Sequence, residues 1–225
     1  MNLRLGMACA LFALAACATR TAPPPATPPS PQTPSAPPSS VGELARAIDG
    51  DAKRSDHEPD SKIRETLAAD AGRDADACVA QEPLAAACQY GRAVAFGLVA
   101  KAHPTRAVEL LRSMLDALAK AETADPSYQQ AGPARVRALV LIRAPGWPLG
   151  PGDIDAGLDA ARRAVALRPQ YPANLLALAE ALAKSGDAAG AKSNYARARD
   201  AALALPASDD REDWLRQAEQ GLHAK

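Results

Sequence analysis

Residues 132–205 read GPARVRALVLIRAPGWPLGPGDIDAGLDAARRAVALRPQYPANLLALAEALAKSGDAAGAKSNYARARDAALAL, and they write one helix-turn-helix pattern twice, the second copy more clearly than the first. Ala164 and Ala198 anchor the two copies. They stand 34 residues apart, each late in a helix-like segment, Asp155 to Leu167 and Asp187 to Leu203, whose inward positions are mostly small. In the second copy Leu175, Leu178, Ala179 and Leu182 precede a glycine turn at Gly186, and Ala191, Tyr195 and Ala198 follow it at helical spacing.

A helix-turn-helix unit with a period of 34 residues resembles the tetratricopeptide (TPR) repeat. That resemblance implies an all-α fold, a TPR-like antiparallel helix-hairpin solenoid in which each pair buries its apolar face by stacking on the next. Composition agrees with it. The chain is alanine-rich with few aromatics, and nowhere does it alternate apolar and polar residues for long enough to make a strand.

The repeats occupy only part of the chain. Residues 1–16 read as a signal peptide: a charge at Arg4, an apolar run from Leu5 to Leu14, then Ala15 and Ala16. The run is too short for a membrane-spanning helix, which takes about 20 apolar residues. Leu14-Ala15-Ala16-Cys17 resembles a bacterial lipobox, which implies cleavage before Cys17 and lipidation of that residue. Three acyl chains, at about 0.8 kcal/mol per buried CH₂, exceed what stable anchoring needs. Ala18, where an aspartate would retain a lipoprotein in the inner membrane, implies the outer membrane, with the domain facing the periplasm. Residues 17–40 are then the lipidated cysteine and a Pro-rich tether, with nine prolines from Pro23 to Pro38 and no charge after Arg20. At about 3.1 Å per residue it reaches roughly 70 Å. A ligand for a Pro-binding module is the alternative use of such a stretch.

After the tether, residues 41–60 read as a poorly defined lead-in, a short helix over Val41–Ile48 followed by a charged break from Gly50 to Asp60. Residues 61–225 read as the helical domain. Removing Arg4 and Arg20 from the 26 basic residues leaves 24 against 26 acidic ones with the signs interspersed, so nucleic acid is not an expected partner. A helix from Ser61 with Ile63 and Leu67 inward runs toward Cys78, Gln81-Glu82-Pro83 turns the chain, and Leu84–Ala102 carries Leu84, Cys88, Ala95, Leu98 and Val99 at helical spacing. Cys78 and Cys88 therefore flank a helix hairpin, and in an oxidising compartment they are expected to form a disulfide. No histidine or second cysteine pair stands nearby to make a metal site. Thr105 is read as the cap of the next helix, whose stripe is Ala107, Leu110, Leu111, Met114, Leu115 and Leu118, and Asp209 as the cap of a closing helix with Trp214, Ala218 and Leu222 inward.

An insertion, Ala144 to Gly152, divides the helices of the first marked copy, with three prolines and three glycines around Trp147 and Leu149. Trp147 and Leu149 either line a ligand groove as a binding loop, or Trp147 folds back as a plug between helix pairs. The run Ala131-Gly132-Pro133, Arg143-Ala144-Pro145-Gly146-Trp147-Pro148, Gly152-Asp153, Arg168-Pro169 and Asn174 resembles bacterial lipoproteins related to the periplasmic TPR subunit of TRAP transporters, the TatT type. That resemblance implies a partner among substrate-binding proteins or a hydrophobic small ligand.

In TPR proteins the face from which Asn174 projects, early in the first helix of the pair, lines the concave groove; Asn174, Glu180, Lys184 and Arg197 are the candidate groove residues, with a solvated face as the alternative reading of the charges. His57, His103 and His223 lie in separate segments, and Gly146–Gly152 lacks the Lys and Ser/Thr of a phosphate loop, so neither a catalytic set, a metal site nor a cofactor is expected. The expected function is that of an anchored, non-enzymatic scaffold for a periplasmic or envelope protein. A TatT-like accessory that binds a ligand and a structural envelope-assembly factor are the alternatives.

Overall fold

The computed structural model describes residues 40–224, which lie in one unit, Pro37–Lys225. The leader, Cys17 and the tether up to residue 39 fall outside the described residues. Helix α1 (Val41–His57) opens on a reciprocal capping box, in which the Ser40 side chain accepts from the Glu43 amide and the Glu43 carboxylate accepts from the Ser40 amide. The helix runs straight through Gly50 to His57, where the sequence predicts a break. Asp51 and Ser55 are buried on the same face as Leu44 and Ile48, and Arg54 neutralises Asp51 at 2.6 Å. One face is thus inward along the helix, and its charge density is a poor guide.

Helix α2 (Ser61–Gln81) is capped by Asp60 and buries Leu67, Ala68, Ala71, Ala75 and Cys78. Ile63 is 46% exposed, a turn too early to reach the core. Helix α3 (Ala86–Ala102) starts two residues after Leu84, which sits in the turn and is 86% exposed instead of joining the stripe. A 3-10 turn over Pro104–Arg106 takes the place of a Thr105 cap before α4 (Ala107–Ala124). There follow α5 (Tyr128–Arg143), α6 (Ile154–Leu167), α7 (Pro172–Lys184), α8 (Ala188–Leu203) and α9 (Asp209–His223). The cap of α9 is Ser208, whose hydroxyl accepts from the Arg211 amide, so Asp209 is its first helical residue.

Four antiparallel hairpins result, α1/α2, α3/α4, α5/α6 and α7/α8, with α9 packed on α8 and α7. The expected all-α, TPR-like helix-hairpin solenoid is what the chain forms. Among the described residues there is no strand beyond an isolated bridge between Gly146 and Gly152, and no helix is long and apolar enough to cross a membrane.

The core is small-residue packing. Ala164 and Ala198, the two anchors, are both fully buried, and so are Ala71, Ala93, Ala121, Ala138, Ala160, Ala161 and Ala181. An alanine contributes little transfer free energy of its own, but it lets helices approach until their larger neighbours interlock. Gly157 carries this furthest: a Cβ there would lie 2.5 Å from Ile142 Cγ2, so α5 and α6 meet at a distance only glycine permits.

The amino end of α5 departs from a regular helix. Gln129, Gln130 and Ala131 take φ of 48°, 58° and 63°, three successive non-glycine residues in the left-handed region. Each costs about 1–2 kcal/mol. The right-handed helix resumes at Gly132 and Pro133, which are buried. A Cβ on Gly132 would stand 3.1 Å from the Tyr90 ring, and Tyr90 in turn meets Tyr128 edge-on at 5.5 Å.

Candidate functional site: the inner face of the odd-numbered helices

The odd-numbered helices stand side by side, and their row is curved. Lys53 of α1 reaches Asp210 of α9 with its ammonium 3.4 Å from the carboxylate, although the two helices have no backbone contact. Asp210 and Asp49 raise the pKa of the Lys53 amine. Two recesses lie on this inner face and share Leu139 and Arg143 of α5 as a dividing wall.

The first recess, about 560 Å³, lies between α3 and α5 over a floor from α4. Val94, Leu98, Leu111, Met114, Val136 and Val140 make it aliphatic, and the Lys101–Asp56 ion pair at 2.6 Å is at its edge. It exists because α3 and α5 touch chiefly near Tyr90 and Gly132, leaving Leu111 and Met114 to line the floor.

The second recess, about 480 Å³, runs between α5, α7 and α9. Here α5 and α7 are tied by two polar brackets. At one end Arg143 grips Glu180 with both arms, Nε to Oε1 at 2.8 Å and Nη2 to Oε2 at 2.6 Å, and this hydrogen bonding raises the guanidinium's pKa. At the other, Arg135 Nη1 donates to Asn174 Oδ1 at 2.9 Å and to the carbonyls of Gln129 and Gln130, while its guanidinium lies 5.3 Å from the centre of the Tyr171 ring. Tyr171 meets Trp214 of α9 edge-on at 5.3 Å. Tyr195, whose phenol is pushed up by burial, and Trp214 line the recess together with the amides of Gln217 and Gln220.

Of the four residues expected in a groove, the structure brings only Glu180 to its wall. Asn174 is fully buried beneath it. Its Nδ2 donates to the carbonyls of Gln130 at 3.1 Å, Ala164 at 3.1 Å and Arg168 at 3.4 Å, so this one amide joins the left-handed turn, the end of α6 and the following loop to α7. A short side chain with two donors and one acceptor suits such a junction. Lys184 is exposed at the carboxyl end of α7, and Arg197 is exposed on α8, where it donates to Asn194 Oδ1 at 2.7 Å; neither lines either recess.

The 144–152 insertion is a loop closed on its own backbone. Gly152 N–H donates to the Pro145 carbonyl at 2.8 Å, Leu149 and Gly150 donate to the Gly146 carbonyl, and Asp153 donates back to Leu141. A Cβ on Gly150 would fall 2.6 Å from the Pro145 oxygen, which is why glycine stands there. Trp147 is 88% and Leu149 73% exposed. Trp147 fills no space between helix pairs and is not a plug; nor do Trp147 and Leu149 line either recess, and of this loop Ala144 and Pro145 alone border the aliphatic one.

Cys78 and Cys88 are fully buried and joined, with Cα atoms 5.2 Å apart, beside Leu44 of α1. Among the described residues no group of three or more His, Cys, Asp or Glu side chains is gathered to hold a metal ion. Sequence reasoning missed Arg143, Leu139, Tyr195 and Trp214 as groove residues. The linear pattern assigns Tyr195 and Trp214 to the packing of their own helices, and nothing in it says that the two helices converge.

No protein-family model matches the chain, and no curated protein matches it. Among solved structures it is similar in fold to TTC0263, a thermophilic TPR protein of Thermus thermophilus, at 22% identity and a TM-score of 0.53, over 81% of this chain and 92% of that one. The likeness is one of architecture and agrees with the hairpin stack described above.

Proposed function

We propose that this protein is an outer-membrane lipoprotein, anchored through Cys17 and held off the lipid by its Pro-rich tether, whose TPR-like domain binds an extended segment of a periplasmic or envelope protein on its inner face and acts as a scaffold, not as an enzyme. The observation that carries the reading is the pair of neighbouring recesses that share Leu139 and Arg143 as a wall, one lined from α3 and α5 and the other from α5, α7 and α9. A trough with an aliphatic half and a half of aromatics and amides suits a peptide with apolar anchors and a backbone in need of hydrogen bonds. Photo-crosslinkers placed in the full chain at Gln217 and Val136 are expected to capture one defined partner, and a crosslinker at the exposed Lys192 of α8 is not. Equal capture from both faces counts against the reading. Separately, Cys17→Ala is expected to abolish palmitate labelling and release the protein from the outer-membrane fraction.

The aliphatic half favours a second reading, a hydrophobic small ligand of the kind the TatT resemblance implies. Native mass spectrometry of gently purified protein separates the two: a retained apolar ligand without a protein partner supports this one.

A further inference from the structure

We infer that the recess between α5, α7 and α9 selects an acidic side chain within the bound segment, its Asp or Glu carboxylate pairing with Arg135. The inference rests on the inner face being a peptide-binding surface, as above, and names the chemistry which that surface recognises.

The two brackets that join α5 to α7 differ in charge. Arg143 carries its own counter-ion, Glu180, so that end of the recess is electrically closed. Arg135 does not. Its Nη1 donates to Asn174 Oδ1 at 2.9 Å and to the carbonyls of Gln130 at 3.1 Å and Gln129 at 3.3 Å, and its Nη2 reaches the Gln129 carbonyl only at 3.4 Å. The guanidinium lies over the ring of Tyr171, and the phenol of Tyr90, which burial pushes up and keeps protonated, stands near it. Each of these groups is neutral. Dipoles of this kind hold a guanidinium in place but leave its charge unmatched, and a half-buried charge gains more from a counter-ion than one in open water.

The geometry favours a carboxylate as that counter-ion. Nη1 is committed to three oxygens, whereas Nη2 has one long contact and keeps donor capacity. A guanidinium presents its N–H groups in a planar fork that fits a carboxylate and equals its single charge. Because Asn174, two carbonyls and a ring already fix Arg135, little rotamer freedom is lost when the pair forms.

The rest of the recess suits the chain on either side of that residue. Leu176, Tyr195 and Trp214 give it apolar surface, and Gln217 and Gln220 of α9 hold out exposed amides that both donate and accept. Such amides serve a backbone that continues past the acidic residue, so the carboxylate assigned to Arg135 belongs to a side chain and not to a chain terminus. Over the whole chain 26 basic residues balance 26 acidic ones, so no general field draws acidic partners and the selection is local to Arg135.

The test presents the full chain with pools of N-acetylated, C-amidated hexapeptides, of mixed apolar sequence except for a fixed inner position that is Glu, Gln or Lys. Mass spectrometry measures the fraction of each pool retained. The Glu pool is expected to be retained about tenfold better than the Gln pool at low salt, with the Lys pool last and the Glu advantage shrinking as ionic strength rises. Gln217→Glu with Gln220→Glu, both exposed positions, adds carboxylates to the α9 wall and is expected to remove the Glu advantage at an unchanged unfolding midpoint. Arg135→Gln is expected to remove it as well; since that change also breaks a bracket, the α9 variant decides. Equal retention of the Glu and Gln pools overturns the inference, as does a Glu advantage that survives the α9 variant. A Gln pool with a free terminal carboxylate that is retained as well as the amidated Glu pool overturns the assignment to a side chain. Partner capture from Val136 and Gln217 is read independently: if it persists while the Glu and Gln pools are equal, the acidic assignment falls and the scaffold reading stands.

Discussion

Between α3 and α5 the inner face is aliphatic, with Val94, Val136, Val140 and Met114 around an open recess; between α5 and α9 it is aromatic and amide-bearing, and its walls are locked together. Both halves use the same hairpin unit and share α5. The difference lies in how neighbouring odd helices are joined. Helices α3 and α5 meet through ring and glycine contacts near Tyr90 and then part, whereas α5 and α7 are pinned at two ends by Arg135–Asn174 and Arg143–Glu180. Small residues set the distances within a hairpin. A few polar side chains between hairpins set the character of the trough.

The largest test of that contrast is Asn174→Ala. It removes the amide that ties the carbonyls of Gln130, Ala164 and Arg168 to α7 and one acceptor of Arg135, although each carbonyl keeps a second donor; at about 1 kcal/mol for each hydrogen bond lost, a loss of about 3 kcal/mol in denaturant unfolding is expected. A loss under about 1 kcal/mol would show that the left-handed turn does not depend on this bracket.

The disulfide sharpens the same contrast from the other half. Opening the ten-residue Cys78–Cys88 loop with Cys78→Ala and Cys88→Ala is expected to cost about 2–3 kcal/mol on the chain-entropy account. Hydrogen exchange should quicken in α2 and α3 and hold steady in α7 and α8. A uniform rise along the chain would mean that the two halves open as one.

Glu180→Gln acts on the dividing wall. The Arg143 and Glu180 side chains are 56% and 25% exposed, so stability should change by less than about 1 kcal/mol. The released guanidinium should instead tighten binding of an acidic peptide in a salt-dependent way, measured by calorimetry at two ionic strengths. Unchanged affinity would show that Arg143 does not face the bound segment.

The smallest effect is expected from Trp147→Ala. A side chain 88% exposed stabilises little, and a shift within about 0.5 kcal/mol is predicted. If binding at either half falls while the unfolding midpoint holds, the 144–152 loop belongs to the partner surface in addition to the trough. A large loss of stability would contradict its exposed position.

The linear pattern was informative wherever a feature recurs or acts locally. The 34-residue spacing of Ala164 and Ala198 placed both at fully buried contacts, and the stripe of α4 and the cap at Asp153 lie where the residues say, because helical period and capping depend on neighbours a turn away. It was misleading for α1, where charge density hid a buried face, and for Ile63 and Leu84, apolar residues that the turns leave outside.

What the sequence by itself determined, then, is the helical class, the repeat and the hairpin order, since these follow from periodicity and turn chemistry. Only the tertiary structure decided that Asn174 is a buried tie and not a groove residue, that Trp147 points to solvent, and that Arg143, Tyr195 and Trp214 from three helices face one recess. The physical reason is the same for each: those outcomes depend on the angle and spacing between hairpins, which are set by contacts between residues tens of positions apart.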